Sequence, residues 1–421
     1  MTTAIVNATI IDGTGRDPVP NGTVILDGDM IERVGAGIDP PRGANVIDAG
    51  GATVMPGMID CHVHLYGKVT PWYERLQMPS SLQLFHGAKN ALRTLDSGFT
   101  AVRDAGGSPA GFKMAIEQGL IPGPRMRTAV VHLSQTGGHG DSTMPSGSQG
   151  ARISGGGVEW PSNVVDGPDA VRKTVREVLR AGADFIKLSS TGGVMSPSDE
   201  PDHTGFTPEE IGVMVYEARA RGKTCMAHAQ GTQGIKNAVL AGVESIEHGF
   251  FLDDEVIDEM KRRGTFLVPT MVAPVWSLRY AERMPGSLLP QSIRKSHEVS
   301  QASRDSVRAA KEAGVLIAFG TDMGVGPHGR NAEELELMVQ AGLAPMEAIV
   351  AVTKTASECI HMAKEIGTLE TGKLADLLIV DGDPLADISI MKDREKLRLI
   401  MRGGRAHKNE LETRAGVTVE R

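Results

Sequence analysis

The chain of 421 residues is 40% apolar and 23% charged, long enough for one large domain or two to three small ones built on a full-sized core. Its 44 Lys and Arg against 52 Asp and Glu leave a net charge of −8, and no stretch concentrates the basic residues, which excludes nucleic acid and an anionic membrane surface as main partners. Three scattered cysteines (Cys61, Cys225, Cys359) without a CxxC exclude a disulfide framework, and with no membrane-length apolar run and no signal-peptide pattern in MTTAIVNATIIDG a cytoplasmic setting is expected.

Residues 1–54 are short apolar alternations (AIVNATIID, GTVILDGD, ANVIDAG, ATVMP) broken by Gly, Asn, Asp and Pro, the pattern of a small antiparallel β unit. The texture returns in GKLADLLIVDGDP (372–384) and LRLIMRGGRAHK (397–408). The two ends, 1–54 and 367–421, are therefore expected to form one β domain around a central unit, 55–366.

In the centre, short apolar strands alternate with amphipathic helices. MIDCHVHL (58–65) comes first, then TAVRDA (100–105) and RTAVVHL (127–133), followed by a Gly-rich loop, TGGHGD. This loop and the SGGG run at 154–157 read as plain loops rather than phosphate cradles. In DAVRKTVREVLRAGA, Val171, Val175, Val178, Leu179 and Ala181 fall on one helical face. DFIKLSS (184–190) is the next strand, and Thr207-Pro208-Glu209-Glu210 opens a helix with a capping box. KTCMAHA (223–229), VESIEHG (243–249), TFLVPTM (265–271) and VLIAFGTD (315–322) complete the strands. Asn331 with Glu334 predicts a second capping box, and Gly342 a helix stop. Eight strands with intervening helices predict an α/β fold of the (β/α)8 TIM-barrel type. A doubly wound sheet is the alternative, but no GxGxxG follows the first strand.

Chemistry-bearing residues gather at the C-terminal ends of these strands, where barrel active sites are built. His62 and His64 form an HxH pair whose rings share one strand face and can reach one ion. Cys61, next to His62, lies on the opposite face of the strand and is expected to pack outside the lumen. Lys187 sits among Phe185, Ile186 and Leu188, where burial lowers an amine's pKa. It is either an ion-paired lysine or a neutral amine able to take up CO2 as a carbamate, whose oxygens could bridge two cations. His228, His248 and Asp322 each end a strand; singly each reads as a core histidine or a turn aspartate, together as a metal site. Imidazole and oxygen donors suit Zn or another divalent transition ion better than Mg or Ca.

The motifs VMPGMIDCHVHL, DFIKLSSTGG, CMAHAQG, ESIEHGF, FGTDMG and GTLETGKLADLLIVDGDP resemble those of the amidohydrolase superfamily along essentially the whole chain. QTGGHGD (135–141) and GVGPHGRNAEELELM resemble its imidazolonepropionase-like branch, which includes Xaa-Pro dipeptidases, related carboxypeptidases and ochratoxin-hydrolysing amidases. The resemblance implies a (β/α)8 barrel with a small β-sandwich and a centre of two divalent ions, with Zn the first expectation and Mn, Co or Fe acceptable. It implies His62, His64 and Asp322 on the more buried ion, His228 and His248 on the other, and carboxylated Lys187 (N6-carboxylysine) bridging them. It further implies Asp322 as proton shuttle, His139 as the group polarising the scissile carbonyl, and a homo-oligomer of up to eight chains. The reaction expected is hydrolysis of an amide bond of an N-acyl or peptidyl amino acid, a small-molecule substrate. Dipeptidases of this branch tend to carry Tyr two residues after the fifth-strand histidine; here that residue is Gln230, which keeps phenylurea or carbamate hydrolysis open as an alternative. A non-catalytic scaffold is the remote alternative, disfavoured because such scaffolds lose ligands. Pocket candidates are Gln230, His328, Arg330, Tyr66 and Trp72, with Val272, Trp276 and Leu278 as candidates for a lid or oligomer contact.

Overall fold

The computed structural model describes residues 2–67, 74, 77–144, 146–147 and 157–411. Trp72 and most of the SGGG run lie outside these. The strands of the two chain ends pair with each other. Thr2–Ile10 pairs antiparallel with Val19–Asp27, which pairs with Met30–Ala36, while Thr53–Pro56 pairs antiparallel with Leu377–Val380. Leu397–Arg402 and Arg405–Asn409 continue the sheet beyond Leu377–Val380, and Asn45–Asp48 lies on Thr2–Ile10 in parallel. The expected sandwich thus takes the form of one mixed eight-stranded sheet rather than two separately hydrogen-bonded sheets. Alternation explains its core: Ile5, Val24, Leu26, Ile31, Leu377, Ile379 and Leu399 fall on one buried side.

The central unit is barrel-like, with its strands all parallel in two hydrogen-bonded groups. One orders Met58–Val63, Phe99–Asp104 and Arg125–Thr128; the other runs from His132–Leu133 through Ile186–Ser189, Cys225–Ala229 and Ser245–His248 to Phe266–Val268. Segment 125–133 links the groups, because its first half pairs with Phe99–Asp104 and its second with Ile186–Ser189. Val130, at φ 63°, marks the break between the halves. The predicted strand 315–322 forms no regular ladder, yet it spans the other gap. Leu267 N–H donates to Leu316 O (2.8 Å) and Ala318 N–H to Leu267 O (2.9 Å), while Cys61 N–H donates to Phe319 O (2.9 Å). Asp322 N–H then donates to His62 O at 2.7 Å and His64 N–H to Met323 O at 2.7 Å.

Helices cover the outside. Pro168–Arg180 buries Val171, Val175 and Val178 and leaves its charged face outward, as its 3.6-residue spacing requires. Pro208–Arg219 begins with the full capping box of Thr207 and Glu210. No helix of the described residues is long and apolar enough to cross a membrane. Cys61 lies outside the strand ring, against Ala356 and Cys359. The second capping box does not form. Glu334 is fully buried and accepts from Met271 N–H (2.9 Å) and Val272 N–H (2.6 Å), and Asn331 is drawn to Asp60.

Candidate metal centre

The first strand delivers two imidazoles to the ring's mouth, and its neighbours decide which nitrogen each presents. His62 Nδ1 meets Glu247 Oε2 at 2.8 Å, and His64 Nδ1 donates to Gly106 O at 2.9 Å. Both rings therefore turn Nε2 inward, a setting that fixes tautomer and orientation in metal-binding histidines. Glu247 is held in turn by Arg103 Nη2 (2.9 Å) and Ser245 Oγ (2.6 Å). Burial opposes its charge, but Arg103 and His62 prevail and lower its pKa to about 2. Asp322 closes the group, its Oδ1 3.5 Å from His62 Nε2 and 3.2 Å from His64 Nε2. The ligand atoms of His62, His64 and Asp322 lie within 4.8 Å of one another, so this trio could hold a metal ion.

Placing these groups requires unusual backbone. Asp322 (φ 58°) and His248 (φ 75°) both adopt the left-handed conformation, which costs non-glycine residues about 1–3 kcal/mol each. Such strain persists only where surroundings over-determine it. For Asp322 the clamp is Asp60, a fully buried carboxylate that accepts from His62 N–H (3.1 Å), Thr321 N–H (3.1 Å), Thr321 Oγ1 (2.6 Å) and Asn331 Nδ2 (2.8 Å). Desolvation pushes Asp60 up to about 7, with these hydrogen bonds opposing it.

The remaining ligand candidates surround the trio. His248 contacts Thr270 Oγ1 through Nδ1 at 2.6 Å, leaving Nε2, while His228 donates from Nε2 to Gly192 O at 2.9 Å, leaving Nδ1. Their ring centroids are 4.6 Å apart, and that of His248 is 5.1 Å from His62. Burial holds His228 and His248 well below the usual histidine pKa and lowers His62 to about 4, so these rings are neutral and can ligate. Asp322 stays ionised, since His62, His64 and His248 outweigh its burial and hold it far below the usual carboxylate range. Lys187 is 1% exposed, and its Nζ has no hydrogen-bond partner. Burial lowers it to about 8, against the pull of Glu247 and Asp322. An orphaned, readily neutralised amine beside five candidate ligands fits a position completed by another group.

His139 stacks on His228 with centroids 3.9 Å apart and planes 14° from parallel. Gly193 makes room for both: a Cβ there would come within 2.4 Å of His139 and 2.7 Å of His228. A cleft opens from this point, walled by Val194, Met195, Phe250, Ala273, Pro274 and Val325, with Gln230, Ser277 and Asp322 supplying polar atoms. Gln230 Oε1 is buried there without a partner.

Other pocket candidates are elsewhere. His328 is buried behind the first strand, between Thr94 Oγ1 (3.0 Å) and the His64 carbonyl (3.1 Å), where it supports His64 from the rear. Arg330 points outward near Glu333 (3.6 Å). Tyr66 packs edge-on to Phe112 and Trp160. His328 and Arg330 lie outside the cleft wall because the loop after the last strand folds back over the helix Ser80–Asp96, and Tyr66 because it turns into the packing of Phe112 and Trp160. Ala273, Pro274 and Ser277, rather than Val272, Trp276 and Leu278, face the cleft. The sequence reading passed over Glu247, Arg103 and Asp60. Their signal was available, since charged residues inside apolar strands are rarely idle.

Known proteins resemble this chain along most of its length. The amidohydrolase family profile matches residues 53–406. The ochratoxinase of Aspergillus niger is 33% identical over 427 aligned residues, covering 96% of this chain and 86% of that protein. An imidazolonepropionase of Hyphomonas neptunium is 26% identical over 402 residues, covering 89% and 91%. The crystal structure of a Xaa-Pro dipeptidase with methionine bound in its active site superposes with a TM-score of 0.87 at 33% identity, covering 97% of this chain and 100% of that one. The chain belongs to the amidohydrolase family, in the branch that holds these relatives.

Proposed function

We propose that this protein is a metal-dependent hydrolase that cleaves the amide bond of an N-acyl or peptidyl amino acid. The observation that carries the reading is the convergence of the neutral imidazoles of His62, His228 and His248, an ionised Asp322 and the unpartnered amine of Lys187 at the ends of different strands. These residues fit two divalent ions: His62, His64 and Asp322 would hold one, His228 and His248 the other, and Lys187, as its carbamate, both. Zinc suits the donors, with Mn, Co or Fe as alternatives. Bound ions would supply Lewis-acid polarisation of the carbonyl and a lowered pKa for water.

The chain's own groups do the rest. Asp322, anionic at neutral pH, accepts the proton of the attacking water and hands it to the departing nitrogen. His139, on the cleft wall, orients the scissile carbonyl and stabilises the oxyanion that develops there. The apolar wall from Val194 to Val325 keeps water from the remainder of the substrate. Ochratoxinase and the Xaa-Pro dipeptidase, both 33% identical, support an amide substrate with an amino acid on one side of the bond.

A second reading has its own observation. No Arg or Lys lines the cleft among the described residues, and Gln230 offers a neutral acceptor instead. That favours a leaving group without a carboxylate, as in an aryl urea or carbamate. Steady-state kinetics on N-acyl-phenylalanine and N-acyl-proline, their carboxamides, and aryl ureas separates the two. The first reading predicts the highest kcat/KM for the free acids; a preference for the aryl ureas would replace it with the second, and no turnover of any would refute both.

A further inference from the structure

The loop after the strand Ile186–Ser189 carries polar groups that the reaction above leaves unused. His139 Nδ1 meets Ser196 Oγ at 2.9 Å, and Ser196 Oγ reaches both Asp199 Oδ1 and, at 3.1 Å, Gly193 O. Asp199 Oδ1 also accepts from Gly193 N–H at 3.0 Å. Behind the loop stands Lys295, from the long helix Pro290–Ala313, with no exposed surface. Its ammonium donates to the carbonyls of Gly193 (2.9 Å), Ser196 (2.8 Å) and Asp199, and lies 3.9 Å from Asp199 Oδ1. A buried ammonium is costly unless its donors are all satisfied, and here three carbonyls of one loop satisfy them. The same contacts pin the loop's backbone at three points. Because the single Ser196 hydroxyl proton is directed at Asp199, His139 Nδ1–H donates to Ser196 Oγ, and Nε2 is the nitrogen left for a substrate, a donor to the oxyanion when the ring carries its second proton.

We infer that Asp199, Ser196 and Lys295 form a positioning relay for His139: Asp199 and Ser196 hold Nδ1 from behind, and Lys295 fixes the loop that carries them. The relay rests on the reading that His139 acts on the substrate carbonyl. Buried polar groups that orient a first ring of functional residues are commonly worth 10–100-fold in activity, and this relay is expected to fall in that range.

The test is a double-mutant cycle on the metal-loaded protein with its best amide substrate. Ser196→Ala should lower kcat about 10- to 100-fold with KM and metal content little changed, and Ser196→Thr, which keeps the hydroxyl, should restore most of it. In a His139→Asn background the same Ser196→Ala change should cost almost nothing further, because the group it positions is gone. Imidazole 15N spectra of the metal-free protein give a second readout: one fixed tautomer of His139 in the parent, averaging in Ser196→Ala. An undiminished cost of Ser196→Ala in the His139→Asn background, or an unchanged tautomer signature, would overturn the relay while leaving the role of His139 intact. If His139→Asn alone keeps full kcat, the role of His139 fails and the relay with it. Lys295→Met tests the loop anchor; should it not fold, Asp199→Asn, expected to match Ser196→Ala, serves in its place.

Discussion

Lys187 and Asp322 show how one barrel mouth holds two ionisable groups in opposite states. Burial brings the lysine amine down to about 8 against the pull of Glu247 and Asp322, while three imidazoles keep the aspartate anionic. Only the neutral amine adds CO2, and a lowered lysine pKa means the neutral form gains as pH rises through about 8. Activation of metal-free protein by zinc and bicarbonate should therefore be faster at pH 8.5 than at pH 6.5, and lost in Lys187→Ala; stopped-assay time courses measure this, and equal rates at both pH values would remove the carbamate. At Asp322 the expected effect is on turnover. Asp322→Asn keeps a donor oxygen but not a base, so kcat should fall roughly 10²–10⁴-fold while much of the metal is retained. Kinetics and metal analysis on the same sample check both halves.

At the scale of single elements, a strand end fixes a side chain only when the next strands brace it. His62 is braced by Glu247, Glu247 by Arg103 and Ser245, and Asp322 by the Asp60 clamp on Thr321 and Asn331. The pKa of Glu247 is depressed from 4.5 to about 2, so the folded protein binds this proton more weakly than the unfolded chain. Its contribution to stability is complete above about 4.5 and lost as pH falls towards about 2. Glu247→Gln should thus lower the Tm of metal-free protein near neutrality, where it leaves Arg103 buried without its partner, and the gap to the parent should narrow below pH 4.5. Calorimetry across pH reads this directly; a gap that widens on acidification would contradict it. The HxH pair, the buried lysine and the strand-ending His228, His248 and Asp322 were legible because each breaks an apolar strand with a ligand type. The braces Asp60, Arg103 and Glu247 showed only as charges inside apolar strands; what they hold did not, because they act on residues of other strands, and one strand's alternation says nothing about its partner's register. Asn331 illustrates the limit: local spacing predicted a helix cap, but the Asp60 carboxylate from the first strand claims the side chain.

For the whole molecule, the alternation of strand and helix foretold the barrel-like ring, and the similar texture of the two chain ends foretold that they share one sheet. What patterns could not convey was that segment 315–322 would bridge strands without forming a regular ladder. Nor could they show that the loop carrying His328 and Arg330 packs on a helix distant in sequence rather than on the cleft wall. The fold explains why the site is built as it is: parallel strands bring residues from six different parts of the chain to one mouth, and the Lys295 helix braces it from the side. On the proposed function this mouth holds two divalent ions joined through Lys187. Metal content per chain, measured on active purified protein beside its Lys187→Ala variant, decides the matter. About two ions are expected in the parent and no more than about one in the variant. Active parent protein without bound transition metal, or a variant that keeps both ions, would contradict it.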